Sequence, residues 1–234
     1  MGGNMDTATR QRRTPRRDSS IVAVLGVLAA LALGACGGDP QDAEAVEASS
    51  TTASQGGSYS TQAFIVPFDV MVPDLFPTEA TTDSANFVTW ETGSEADPAV
   101  RFLVPVDVYV PGETEATPPP ADYLTYLLGQ REDGATFSDR TETTVDGMPA
   151  TLLTATVEDS LDGSLGCPAE DVAADDCYGL QPDFTLRMAV IDAGDVTLLA
   201  WLRHAGTEET GDAAGEFAAF EDMLATVSFR DEAR

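Results

Sequence analysis

The chain has 234 residues, of which 12 are basic and 40 acidic, giving a formal net charge of −28. All 12 basic residues are Arg, and five of them (Arg10, Arg12, Arg13, Arg16, Arg17) fall in the first 17 positions, so the remainder is more acidic still. A field of that sign repels phosphate backbones and anionic headgroups, which argues against nucleic acid as a partner and against electrostatic adhesion of the folded part to a membrane. The hydrophobic content of 43% is ample for a core and separates the chain from acidic disordered sequences.

The five arginines precede an uncharged apolar run from Ile21 to Leu33, the small residues Gly34 and Ala35, and Cys36. That is the three-part layout of a secretory signal, and its 13 apolar residues are too few for a transmembrane helix. The stretch Leu33-Gly34-Ala35-Cys36 resembles the lipobox of bacterial, actinobacterial-type lipoproteins. The resemblance implies that the Cys36 thiol is diacylated, that the bond before it is cut, and that the new N-terminal Cys anchors the protein. Two acyl chains suffice for stable membrane residence where one gives only marginal binding. An uncleaved signal anchor is the alternative. Arg16-Arg17 resembles a twin-arginine export signal, but Asp18-Ser19-Ser20 departs from that pattern, so general secretion of an unfolded chain is expected. Loss of residues 1–35 leaves 38 acids and 7 Arg, a net charge of −31.

Residues 37–60 are rich in Gly, Ser, Thr and Ala, with no aromatic residue before Tyr59, and read as a disordered tether. From Thr61 onward, period-2 patterns separated by turn signals predict β-strands. In Phe64–Pro73, Phe64, Val66, Phe68, Val70 and Val72 share one face, with Asp69 and Met71 on the other. Asn86–Glu91 is a second strand. Phe102–Pro111 repeats the first segment at an offset of 38, identical at seven of ten positions, and predicts a similar strand of the same sheet. Their internal prolines favour an edge, bulge or bend.

After Pro118-Pro119-Pro120, the spacing of Tyr123, Leu124, Leu127 and Leu128 predicts a helix over Ala121–Arg131, stopped at Gly134. Asp146-Gly147 marks a hairpin between Thr141–Val145 and Ala150–Val157, and Asp192-Ala193-Gly194-Asp195 marks another between Phe184–Ile191 and Val196–Arg203. A second helix is expected over Ala213–Ala225, with Asp212 as N-cap, followed by a short strand over Thr226–Arg230.

Lipidation of Cys36 leaves Cys167 and Cys177, flanking an acidic loop in a compartment where disulfides persist, and a Cys167–Cys177 bridge is expected. A zinc site lacks ligands, since there is no C-x-x-C and His204 is the only His. His204 reads as a solvent-exposed residue at a strand end rather than a catalytic base, and no G-x-S-x-G elbow or Gly-rich phosphate loop is present. Carboxylates are too abundant for any pair to signal catalysis. Asp159–Ser164 has a partial likeness to a calcium loop but lacks alternating carboxylates and a distal Glu. Asp69 and Asp107 hold equivalent places in the repeated segments; with Tyr109 they form the candidate binding group, and paired in register the two carboxylates would repel unless separated, protonated or bridged by a cation. Met71, Trp90 and Trp201 are further candidates for lining a groove.

The order of elements, with V-P-x-D-V-x-V-P and V-D-G-M-P-A segments, resembles PsbP-like domains over about residues 60–230. This resemblance implies an α+β fold, an antiparallel β-sheet with two helices packed on it, and a non-catalytic binding or assembly role. The expectation is a signal peptide over 1–35, a lipidated Cys and tether over 36–60, and a single α+β domain over 61–234. Its place is the outer face of the cytoplasmic membrane, held by the lipid anchor. It is expected to bind an envelope component or partner protein, without a catalytic residue, a resident metal or another cofactor. A carboxylate-dependent envelope hydrolase and a calcium-dependent adhesion module are the alternatives, and Ca2+ is the one ion left open.

Overall fold

The computed structural model describes residues 56–93, 97–206 and 213–230. The signal, Cys36, the tether up to residue 55 and Asp212 lie outside them. The strands, in order, are β1 (Gly57–Ser60), β2 (Phe68–Val72), β3 (Thr82–Asp83), β4 (Phe87–Glu91), β5 (Ala99–Leu103), β6 (Val108–Tyr109), β7 (Ala116–Thr117), β8 (Ala135–Val145), β9 (Met148–Val157), β10 (Leu161–Gly166), β11 (Tyr178–Leu180), β12 (Phe184–Asp192), β13 (Thr197–Ala205) and β14 (Ser228–Phe229). The helices are α1 (Tyr123–Gly129), continued by a 3-10 turn over Gln130–Asp133, and α2 (Ala213–Ala225).

Strand alternation splits the apolar residues between the two faces of a seven-stranded antiparallel sheet, ordered β3-β4-β5-β13-β12-β9-β8. Trp90, Phe102, Ala200, Leu202, Ala189 and Ile191 belong to one core, closed by Phe220, Met223 and Leu224 of α2 and by the small sheet β1-β2-β14. Leu103, Leu153, Met188, Leu199 and Trp201 belong to the other, closed by Tyr123 and Leu127 of α1 and by the β10-β11 hairpin. Burial on both faces explains why β12 and β13 read as nearly continuous apolar runs. Full burial of a large apolar side chain contributes about 1.5–3 kcal/mol, so Phe68, Phe102, Trp90 and Phe220, all fully buried, dominate the first core. This is the expected α+β architecture.

The β8-β9 turn at Asp146 and Gly147 has positive φ at both residues, 47° and 80°, the geometry that a two-residue hairpin of right-handed twist requires. The α1 region ends as its composition dictates: Asp122 Oδ1 accepts the Thr125 N–H at 3.0 Å, and Gly134 takes the left-handed cap at φ 96°.

Two expectations fail here. Residues 57–60 are not tether but strand β1, paired with β2 from Gly57↔Val72 to Ser60↔Asp69. Glycine serves close approach there: a Cβ on Gly56 would stand 1.8 Å from the Val72 carbonyl oxygen. Tyr59 is buried edge-on to Trp90 and donates to Asp83 Oδ2 at 2.8 Å. The described domain thus begins before Thr61.

The repeated segments are not two strands of one sheet. Phe64–Val72 feeds β2 of the three-stranded sheet, whereas in the second copy Phe102 and Leu103 end β5 of the large sheet and Pro105 follows them into a bend. Identical residues meet different partners: Asp69 pairs with Ser60 and Ser228, whereas its counterpart Asp107 pairs with Cys167. The core face predicted for the first copy is correct, for Phe64, Val66, Phe68, Val70 and Val72 are all buried.

Candidate functional site

The α1 helix covers only part of its sheet face. Toward the hairpin turns the sheet surface is open, and there lies a cleft of about 890 Å³. Its floor is built from register: Glu142, Thr151 and Val190 stand opposite one another across β8, β9 and β12, flanked by Thr144 opposite Pro149 and by Asp192 opposite Thr197. Pro105, Pro119 and Pro120 belong to the walls.

A β-bulge decides which β8 residues reach this floor. Phe137 pairs with Ala155 on the α1 side, but the register shifts between Ser138 and Thr141, where Asp139 has φ 50°. One extra residue reverses the alternation, sending Val145 into the α2-side core and Glu142 and Thr144 to the cleft.

Charges on the rim are Asp122, Glu142, Asp192, Asp195 and Arg140, all exposed. The Thr125 backbone N–H bonded to Asp122 holds its carboxyl below the usual range. Asp192 Oδ1 accepts the Gly194 N–H at 3.2 Å. Tyr123 is buried at the base, where desolvation, with the neighbouring Tyr126 adding, pushes its phenol well above the usual value; its hydroxyl donates to the Leu165 carbonyl at 2.8 Å. The cleft thus offers threonine hydroxyls, rigid proline surfaces and exposed carboxylates, and no desolvated carboxylate pair.

A smaller pocket of about 130 Å³ lies beside Arg101, Tyr178, Phe184, Trp201 and Arg203. Its cations are already engaged. Arg101 bonds Glu91 at 2.7 Å and lies over the Tyr178 ring, while Arg203 donates to the Asp97 carbonyl at 3.2 Å and stacks on Phe184 at 4.6 Å. The Arg101–Tyr178 contact ties β11, which follows Cys177, to the sheet.

The residues singled out by sequence are dispersed. Asp69 is half-buried in β2 between Ser60 and Ser228, on the α2 side, whereas Asp107 pairs its backbone with Cys167 next to Val108 of the opposite core. The two carboxylates therefore do not meet, and the in-register pairing fails because the segments belong to different sheets. Tyr109 donates to the Val172 carbonyl at 2.8 Å, and its ring fills the place that a Cβ on Gly163 would need. It anchors the acidic loop rather than lining the cleft. Trp90 and Trp201 are core residues on opposite faces, and Met71 is exposed.

Cys167 and Cys177 form the expected disulfide. Cys36 lies outside the described residues. Most of the Asp159–Ser164 segment is strand rather than loop: Leu161–Gly166 is β10, and Asp162 Oδ1 accepts from Ser160 Oγ and Gln181 Nε2. Among the described residues no group of three or more His, Cys, Asp or Glu is arranged to hold a metal ion, and no helix is long and apolar enough to cross a membrane.

His204 contradicts the exposed reading. It is 5% exposed, with Nδ1 2.8 Å from Glu216 Oε2 and its ring against Phe217. The acid that buries it comes from α2, which the local strand pattern does not reveal. Nor does that pattern reveal the cleft, whose one advance signal is the run of prolines before α1.

No protein-family model matches the chain, and no curated protein matches it. Similar solved structures include PA94 of Pseudomonas aeruginosa, a protein of unknown function described as a putative regulator, at 15% identity over 75% of this chain and 99% of that one, with a TM-score of 0.40. A protein from Bacteroides thetaiotaomicron aligns at 10% identity over 77% of this chain and 50% of its own length, with a TM-score of 0.39. The Ran-binding protein Mog1p of Saccharomyces cerevisiae aligns at 10% identity over 74% of this chain and 95% of that one, with a TM-score of 0.37.

Proposed function

We propose that this protein is a lipid-anchored extracytoplasmic lipoprotein whose domain binds an envelope component or partner protein through the cleft beside α1, without catalysis. The cleft carries the reading: about 890 Å³ of open-sided space over a sheet floor, within the size range of ligand sites. Its acids are exposed, so none has the desolvated environment that tunes a carboxylate for acid–base work, which gives no support to the hydrolase alternative. The calcium-module alternative draws no support from Asp162, an exposed residue whose Oδ1 already accepts from Ser160 and Gln181. The Cys167–Cys177 disulfide suits an oxidising compartment, and Leu33-Gly34-Ala35-Cys36 supplies the anchor.

The test is crosslinking in intact envelopes followed by pull-down of the native lipoprotein. A discrete adduct lost when bulky residues are placed at Thr144 and Thr197 supports the reading. An adduct unaffected by filling the cleft, or turnover of an envelope polymer by the purified protein, contradicts it.

A further inference from the structure

A sheet face beneath a helix is ordinarily apolar, yet this one turns polar beside the first turn of α1. Thr151 is 8% exposed and stands in the floor between Glu142 and Val190, and its hydroxyl has no hydrogen-bond partner among the described residues. A hydroxyl in that position both donates and accepts, as does each peptide unit of an extended chain. Thr144 and Thr197 add two more such groups to the lining.

The rim supplies the second observation. Four exposed acids, Asp122, Glu142, Asp192 and Asp195, line the cleft against a single Arg140, in a chain whose net charge of −28 already repels anions. Pro105, Pro119, Pro120 and Pro149 give fixed apolar surfaces against which the methylene stems of Lys or Arg lie while their heads reach the acids. Tyr123, the cleft's aromatic lining residue, is buried with its hydroxyl committed, which leaves no open ring face for stacking a sugar or a base.

We infer that the cleft takes an extended segment of a partner protein bearing Lys or Arg side chains, its backbone over the threonine floor and its cations at the acidic rim. The inference rests on the binding role proposed above and names the chemistry of the partner.

The test uses the full lipidated chain in detergent micelles and a fluorescent octapeptide of alternating Lys and Ala, with the Glu–Ala counterpart and spermine as comparisons. The Lys–Ala peptide should bind and the Glu–Ala peptide should not. The triple variant E142Q/D192N/D195N should weaken binding by about tenfold or more. E170Q/D171N/D175N, the same charge change on the exposed disulfide loop, should weaken it by less than about threefold. Thr151→Val should weaken binding by about threefold or more and Thr151→Ser should restore it, with urea midpoints checking that each variant is folded.

Absence of Lys–Ala binding, equal weakening by the two triples, an unaffected Thr151→Val, or spermine binding as tightly as the peptide overturns the inference. The binding role fails separately: a cleft-dependent envelope crosslink without Lys–Ala binding defeats the basic-segment partner alone, whereas an envelope adduct indifferent to the cleft defeats the role itself.

Discussion

His204 Nδ1 and Glu216 Oε2, 2.8 Å apart, join the end of β13 to the first turn of α2 beneath the helix. Their side chains are 7% and 18% exposed, so the contact is largely shielded from water. A second clasp links Arg187 Nε of β12 to Glu221 Oε1 at 2.7 Å, but Glu221 is 41% exposed and Arg187 also donates to the Asp139 carbonyl and Thr154 Oγ1. Glu216→Ala should therefore cost about 1–2 kcal/mol and Glu221→Ala less than about 1, read from urea midpoints. Equal losses, or none at Glu216, would contradict the assignment of His204 as a structural clasp.

The disulfide closes the acidic segment between Cys167 and Cys177, and Tyr109 holds that segment through Val172. Chain-entropy reasoning for an 11-residue ring gives about 2.8 kcal/mol at most. Cys167→Ser with Cys177→Ser should lower unfolding free energy by up to that amount, and reductant should do the same to the parent. Unchanged stability in both would show that the loop is held by its other contacts alone.

Four tyrosines resist ionisation. Burial is the leading cause for each: it raises Tyr59, Tyr123 and Tyr178 above the usual phenol value and pushes Tyr126 up to about 12. Below about pH 10 the folded and unfolded chains both hold these protons; above it the unfolded chain releases them first, so stability falls as pH rises from about 10 through 12. Urea midpoints at pH 9, 10 and 11 should be flat and then drop, with the drop smaller in Tyr126→Phe. A midpoint that rises across this window would contradict the sign.

Cys36→Ala should abolish incorporation of labelled fatty acid and release the protein from the membrane fraction. Continued labelling would remove the anchor from the account.

Features encoded locally were legible in the sequence. Asp146-Gly147 set a hairpin because both positions need positive φ, and Gly134 ended the α1 region for the same reason. The period-2 run from Phe64 to Val72 marked a buried face even where its first residues are not strand. Features set at long range were not. Gly56 and Gly57 look like linker until Val72 and Thr78 are seen against them. Asp69 and Asp107 share a motif but lie on opposite sides of the large sheet, since nothing in ten residues says which strands they will meet. The cleft depends on one extra residue at the β8 bulge, a choice of register that composition does not carry.

On the proposed function, partners meet the protein in the cleft beside α1. A photo-crosslinking residue at Thr144, on the cleft floor, and another at Met71, exposed on the β2 side of the domain, test it in intact envelopes. Position 144 should give a discrete adduct, and position 71 none of the same mass. The same adduct from both positions, or an adduct from 71 alone, would contradict it.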